Sequence, residues 1–185
     1  KELLAPPKTG AQIPVPLEFK EDLLKTQQLL SERARLYKIG LPRPLSFIEY
    51  EGGIIPQAKD IPTLFADLMT AHLDAPSVTR VLTVLHDTIT ARLLELTIDR
   101  MGEPPVPYAW LAFGSAARSE LTLASDQDNG LAYDDTDDPA VADYFRVLAR
   151  DVNTGIARAW LPADPHGVLA SNRQWRMTLS GWRST

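Results

Sequence analysis

One stretch of the sequence combines glycine, serine and aspartate at a spacing that suits phosphate and metal chemistry. Gly114 and Ser115 follow an apolar run at 108–113, and Asp126 and Asp128 come twelve and fourteen residues after Gly114. A glycine lets backbone N–H groups approach a ligand closely, and the start of a helix favours a bound phosphate. Two aspartates two positions apart on an extended segment project to the same side, where they can jointly hold Mg²⁺.

These residue types predict metal-assisted phosphoryl or nucleotidyl transfer. Mg²⁺ neutralises a triphosphate and lowers the pKa of an attacking hydroxyl, so Asp126 and Asp128 are the candidate catalytic and metal-binding residues. Gly114 and Ser115 are the candidate phosphate-binding residues, together with Arg118, whose guanidinium can point at the same anion. Simpler interpretations stay open. The aspartates also suit a solvated turn, the Gly-Ser pair suits an ordinary strand-to-helix turn, and Arg118 can pair with Glu120 instead.

Several other kinds of site are excluded or disfavoured by the same sequence. The chain has no cysteine, which rules out disulfides, thiolate metal ligands and a cysteine nucleophile. The Gly-Ser pair has no following Gly-Lys-Thr or Gly-Lys-Ser, and it lacks a Gly-x-Ser-x-Gly elbow, so neither a P-loop nor a serine hydrolase is indicated. The three histidines have no metal-ligand spacing, whereas Arg173 and Arg176 remain alternative anion contacts.

The segment resembles the polymerase-β-like nucleotidyltransferases, and in particular the bacterial nucleotidyltransferases related to PII-uridylyltransferase. The resemblance covers about 71–183, and its most specific part runs from Phe113 to Asn129. The residues that carry it are Phe113-Gly114-Ser115, Arg118, Glu120, Ser125-Asp126-Gln127-Asp128-Asn129, Gly167-Val168-Leu169-Ala170-Ser171-Asn172, Trp175-Arg176 and Trp182-Arg183.

This resemblance implies both a fold and an activity. The implied fold is α/β (α+β): a polymerase-β-like nucleotidyltransferase core of a small mixed sheet with packed helices, here preceded by an N-terminal helical region. The implied reaction transfers a nucleoside monophosphate from an NTP donor to a protein or small-molecule hydroxyl, in signalling, with Mg²⁺ or Mn²⁺ as cofactor. The implied partners are nucleotide, upstream CBS or cyclic-nucleotide-binding domains, and a C-terminal helical domain.

The family fold also implies a third carboxylate on a later strand. The strand predicted here, Gly167 to Ala170, and the two residues after it contain no acid, and no Asp or Glu follows Asp164. Asn172 or water could take that place, or Asp134 or Asp135 could reach it. A nucleotide-binding regulatory module with weak or absent catalysis is therefore the alternative to the enzyme. A helical interaction or dimerisation unit is the third interpretation, and it fits residues 17–100 best.

Hydrophobic periodicity predicts the elements that must position these residues. Residues 1–16 suit a proline-rich arm, and the pairs at 47–48 and 54–55 either pack locally or form a small hairpin. The predicted domains are an N-terminal arm and helical region at 1–75 and a nucleotidyltransferase-like domain at 76–185, expected to be truncated at its C-terminus. Helices are predicted at 17–38, 60–73, from after Ser77 to Met101, at 139–156 and around 175–182, and strands at 108–113, 130–133 and 167–170.

Composition places limits on the partners. The 185 residues carry 24 acidic and 19 basic side chains, and the net charge of −5 disfavours nucleic acid and anionic membranes. The charge is uneven, since eight acids and no Lys or Arg lie between Arg118 and Arg146, whereas residues 165–185 hold three arginines and no acid. We expect a cytoplasmic protein. Because the chain begins with Lys1 and lacks a signal-peptide core, we also expect it to be a piece of a longer one.

Overall fold

A computed structural model describes residues 47–50, 53–56, 60–70 and 74–185 of the chain. The predicted arm at 1–16 and the predicted helix at 17–38 lie outside the described residues. The elements in chain order are β1 (Phe47–Tyr50), β2 (Gly53–Pro56), α1 (Asp60–Thr70), α2 (Ala75–Met101), β3 (Tyr108–Ala112), α3 (Gly114–Ala117), β4 (Asn129–Tyr133), α4 (Pro139–Ala159), a 3₁₀ turn (Arg173–Trp175), β5 (Arg176–Thr178) and α5 (Leu179–Arg183).

Aspartate side chains cap the start of both long helices, and a glycine ends the first of them. The Asp74 side chain caps α2 by accepting a hydrogen bond from Ser77 N, and this cap starts the helix a few residues earlier than the periodicity predicts. The helix ends at Gly102, which has a φ of 89°. At α4, Asp138 accepts from Ala140 N and Pro139 occupies the first turn, so the acidic loop before this helix supplies its cap.

The core lies between α2, α4 and one face of the sheet. Leu93 of α2, Phe145 and Leu148 of α4 and Leu131 of β4 are fully buried in one cluster. Every residue of β4 is buried, as expected for the central strand of a small sheet covered by helices. No helix in the described part of the chain is long and apolar enough to span a membrane.

The sheet has the order β3-β4-β5 and is mixed, so the α+β core with a small mixed sheet and packed helices is confirmed. β3 and β4 are antiparallel, and β4 and β5 are parallel. The predicted third strand at 167–170 is wrong: its backbone forms turns, and β5 takes the third place. The tail predicted as helical is helical only in part, because β5 separates the 3₁₀ turn from α5. Residues 47–50 and 53–56 form the small antiparallel hairpin.

His86 is an ionisable group inside this core, and it makes folding sensitive to acid. Burial lowers its pKa from 6.5 to about 4, so the folded protein keeps the imidazole neutral while the unfolded chain binds a proton below pH 6.5. We therefore expect His86 to lower the free energy of unfolding by about 3 kcal/mol between pH 7 and pH 4. Urea denaturation across this range should show a smaller loss for His86→Phe than for the wild type. An equal loss in both proteins would contradict the prediction.

Candidate functional site

The register of β3 and β4 brings the Gly-Ser turn against the second aspartate. Ala112 pairs with Asn129, and one residue further on Phe113 N donates to Asp128 O at 3.0 Å. Gly114 then turns the chain with a φ of +52°, a value that favours glycine. A Cβ atom at this position would overlap Asp128 Oδ2 and lie 2.9 Å from Asp128 Cγ. The missing side chain is therefore what allows the Asp128 carboxylate to lie directly against the turn.

The helix that follows Gly114 is a single turn, Gly114–Ala117. So short a helix aligns few peptide dipoles, so an anion here would be held by backbone N–H groups more than by a helix dipole. Ser115 stabilises the turn at both of its oxygens: its carbonyl accepts from Glu120 N at 2.9 Å, and its Oγ lies 3.5 Å from Ser125 Oγ. The predicted phosphate-binding residues Gly114 and Ser115 thus lie at the first turn of α3, beside Asp128.

Three carboxylates meet at this point. Asp126, Asp128 and Asp164 each place one oxygen within 4.8 Å of the other two, a separation that a single divalent cation can bridge. Burial raises the pKa of Asp128, and the negative charges of Asp126 and Asp164 raise it further, whereas Arg118 opposes them. A cation bound among the three acids would relieve this repulsion, and hard carboxylate oxygens are the ligands that Mg²⁺ prefers.

Asp164 is the acid that sequence reasoning missed. It lies just before residues 167–172, where the resemblance implies a third carboxylate. The Gln127–Ala163 bridge and the Gln127 N to Pro162 O bond place it beside the Asp126–Asp128 segment. Its Oδ2 accepts from Val168 N at 2.6 Å and its Oδ1 from His166 N at 3.1 Å. These bonds lower the pKa of Asp164 and keep it ionised.

The sequence held a partial signal for this role. Asp164 precedes a proline and stands three residues before Gly167, a pattern typical of a turn closed by an aspartate side chain. Two of the alternatives to a third acid are engaged elsewhere: Asn172 Nδ2 donates to Gly167 O, and Asp135 accepts from Ser180 N. The signal shows that the aspartate orders a turn, but only the tertiary fold shows that this turn lies against Asp128.

Arg118 and Arg176 differ in how they relate to the three carboxylates. Arg118 is exposed, and its Nε donates to Glu120 at 2.7 Å, so the pairing considered from sequence is present while its charge still acts on Asp128. Arg176 donates from one nitrogen to the carbonyls of Ala170 and Ser171, which gives it a structural role in ordering that loop.

The residues that alternate with the aspartates hold the site in place. Gln127 and Asn129 are buried and point to the opposite side, where the amide of Asn153 from α4 bonds to both of their side-chain oxygens. Asn153 also accepts from Ser171 N, and Gln127 donates to the carbonyls of Asn153 and Leu161. This buried amide network, Gln127, Asn129 and Asn153, fixes the acidic segment to α4 and to the loop that carries Asp164.

The network gives a measurable prediction. Asn153→Leu removes three side-chain hydrogen bonds and leaves the buried Gln127 oxygen and the partly buried Ser171 N without these partners. We expect the free energy of unfolding to fall by about 3 kcal/mol, measured by urea denaturation. Asn172→Leu is the control, because Asn172 is exposed and makes one hydrogen bond within its own loop. Equal losses in the two variants would show that the network stabilises the fold no more than the one exposed hydrogen bond of Asn172 does.

The comparison with known families agrees with this geometry. The family described as Putative nucleotidyltransferase DUF294 matches residues 59–185, more than half of the chain and all of the site residues above. No curated protein and no solved structure matches the chain. Because the match spans the sheet, both long helices and the acidic triad, the chain belongs to this nucleotidyltransferase family.

Proposed function

We propose that this domain transfers a nucleoside monophosphate from an NTP to a hydroxyl group in a Mg²⁺-dependent reaction. One observation carries the proposal: three carboxylates from two separate segments meet within 4.8 Å of one another, and one of them lies against the glycine of a strand-to-helix turn. A triphosphate needs cations beside its phosphates and backbone donors around them, and this arrangement offers places for both.

In this proposal each residue has a defined task. Asp126, Asp128 and Asp164 would hold Mg²⁺ or Mn²⁺, which neutralises the triphosphate and makes the acceptor hydroxyl easier to ionise. The N–H groups at Gly114 and Ser115 would bind phosphate oxygens, with Arg118 adding positive charge nearby. The acceptor oxygen forms a bond to the α-phosphorus, the bond from that phosphorus to the bridging oxygen breaks, and pyrophosphate leaves. The hydroxyl proton passes to a carboxylate or to water.

The finer assignments extend the same proposal. We propose PII-uridylyltransferase-like chemistry in cytoplasmic signalling, on a protein or small-molecule acceptor, because the motif from Phe113 to Asn129 resembles that group. The same resemblance supports CBS or cyclic-nucleotide-binding domains upstream and a helical domain downstream as partners in a longer protein.

The regulatory alternative started from a missing acid, and Asp164 removes that reason for it. A nucleotide-binding module without catalysis needs no third carboxylate, whereas metal-dependent transfer uses one to complete the cation site. The position of Asp164 beside Asp126 and Asp128 therefore favours the enzyme over the regulatory module.

A transfer assay tests the proposal. The protein is incubated with α-labelled NTPs, Mg²⁺ or Mn²⁺ and candidate acceptors, and both label transfer and pyrophosphate release are measured. We expect metal-dependent turnover in the wild type and a loss of at least about 1,000-fold in the Asp126→Asn/Asp128→Asn double variant. Asp137→Asn is the matched control, because it removes the same charge from an exposed loop outside the triad. Metal-dependent nucleotide binding without any pyrophosphate release would favour the regulatory module.

A further inference from the structure

A groove of about 770 Å³ lies beside β5, an edge strand of the three-stranded sheet. Arg173 and Gln174 line it from the 3₁₀ turn, Arg176 and Met177 from β5, and Tyr133 from the end of β4. No acidic residue is among the described residues that line it. A volume of this size suits a small organic ligand, and the lining gives that ligand a positively charged place.

Arg176 lies on the face of the sheet opposite to Asp128. Side chains alternate along a strand, so Asn129 and Leu131 share one face, while Asp128, directly before β4, points to the other. β5 runs parallel to β4 and Arg176 pairs with Leu131, which places Arg176 on the same face as Asn129. A ligand held by Arg176 therefore lies apart from the acidic triad.

Arg176 has a fixed orientation and unused donors. Its Nη1 donates to Ala170 O and to Ser171 O, both at 2.7 Å. Its Nε and Nη2 donate to none of the described residues, and neither atom is closed off from solvent. Because Nη1 anchors the guanidinium, Nε and Nη2 form a pre-oriented fork, the geometry that binds two oxygens of one anion.

Tyr133 and Arg173 add two further donors to the lining. The Tyr133 ring stacks on Phe145, and the residue is only 8% exposed. Its hydroxyl nevertheless has no hydrogen-bond partner in the described part of the chain, and it is not closed off from solvent. Arg173 is exposed, and its guanidinium makes no ion pair or hydrogen bond with any described residue. Both side chains thus have donors left for a ligand.

Three guanidinium groups lie near one another at this groove. Burial lowers the pKa of Arg176, and the nearby Tyr133 opposes this effect. The positive charges of Arg146 and Arg173 lower the same pKa further. Arg146 of α4 is paired with Asp143 at 2.7 Å, whereas Arg173 and Arg176 have no carboxylate partner among the residues that the structure describes. An anion in the groove would relieve this repulsion and supply the missing counter-ion.

We propose that this groove binds the phosphate group of a small organic phosphate monoester. Close to pH 7 such a group carries nearly two negative charges on its oxygens. In the complex, the Arg176 fork binds two of these oxygens, and Arg173 and the Tyr133 hydroxyl bind the third. The organic part of the ligand lies along the rest of the groove, beside Met177. This site is independent of the nucleotide and the metal in the proposed transfer reaction.

Calorimetric titration in EDTA at pH 7.5 tests this assignment with phenyl phosphate, phenyl sulfate, inorganic phosphate and a short phosphotyrosine peptide. Phenyl sulfate has the same ring but a single negative charge. We expect phenyl phosphate to bind at least about tenfold more tightly than phenyl sulfate, and at least about threefold more tightly than inorganic phosphate. At pH 5 the preference over phenyl sulfate should shrink at least about threefold, since the phosphate takes up a proton with a pKa of about 6.

Three variants locate the bound phosphate in the groove. Arg173→Gln, at an exposed position, should weaken phenyl phosphate binding by at least about fivefold. Tyr133→Phe keeps the ring against Phe145 and removes only the hydroxyl, and it should weaken binding by about threefold. Arg176→Lys keeps the charge but loses the fork, so we expect a loss of at least about tenfold. Circular dichroism checks that each variant is folded.

Two control proteins should bind phenyl phosphate like the wild type. Arg80→Gln removes the same charge from an exposed position on α2, and Asp126→Asn/Asp128→Asn removes two acids of the triad. The inference is overturned if phenyl phosphate binds no better than phenyl sulfate, or if folded Arg173→Gln and Tyr133→Phe bind like the wild type. Binding that requires Mg²⁺, or that is lost in the double variant, would place the phosphate at the triad instead. A phosphotyrosine peptide that binds at least about tenfold more tightly than phenyl phosphate would assign the groove to a protein partner and overturn the inference as well.

Discussion

Gly114→Ala should reduce nucleotidyl transfer by at least about 1,000-fold, because the added methyl group takes the space of the Asp128 carboxylate. The new Cβ would overlap Asp128 Oδ2, and the backbone at this position has a φ of +52°. Either Asp128 moves away from Asp126 and Asp164, or the turn opens and its N–H groups lose their place. Steady-state pyrophosphate release measures the effect, with Mg²⁺ binding followed in parallel by calorimetry.

Gly102→Ala separates the effect of backbone strain from the effect of displacing the Asp128 carboxylate. Gly102 has a φ of +89° and a ψ of 165°, a backbone conformation essentially confined to glycine, so alanine there should cost about 1–3 kcal/mol of stability. Nothing lies within 4 Å of its Cβ position, so no side chain is displaced. We expect this variant to lose stability and keep its activity. If Gly114→Ala also kept its activity, contact between the turn and Asp128 would not be needed for the reaction.

The second large effect is the response to metal when Asp128 loses its charge. In EDTA, Asp128→Asn should raise Tm by about 1–3 °C, because it removes a carboxylate whose pKa is raised by burial and by repulsion from Asp126 and Asp164. In the wild type, Mg²⁺ at ten times its dissociation constant should stabilise the fold by about 1.4 kcal/mol. Asp128→Asn should abolish most of that gain, so the two proteins change order when metal is added. Thermal denaturation with and without Mg²⁺ measures both effects.

Asp137→Asn is the control, and it should keep the full response to Mg²⁺. Asp164→Asn should behave differently from both. Its two oxygens accept bonds from His166 N and Val168 N, so the amide would lose one of these bonds and destabilise the fold even in EDTA. A wild type whose Tm does not respond to Mg²⁺ or Mn²⁺ would contradict the metal site itself.

The local features of the site were accessible from the sequence. The apolar run before Gly114, the Asp126–Asp128 spacing and the periodicity of α2 and α4 are short-range patterns, and each of these elements is present. The acidic loop before Pro139 likewise leads into a helix that begins at the predicted residue, Pro139. In such cases the residues that determine an element lie within that element.

The missed features depend on contacts between distant segments. Residues 167–170 have strand-like composition, but the Asp164 side chain binds the amides of the loop and closes a turn, and β5 then pairs with β4. Asp164 meets the other two acids only because this loop folds back along the Asp126–Asp128 segment.

The alternation of acids and amides from Asp126 to Asn129 has a consequence for protein engineering. The acids form the face proposed to bind metal, while Gln127 and Asn129 anchor the same segment through Asn153 of a distant helix. Transplanting the two aspartates and the Gly-Ser turn into another scaffold would therefore transfer the reactive groups without their support. The smallest unit that would carry the proposed site is the motif together with Asn153 and the loop that carries Asp164.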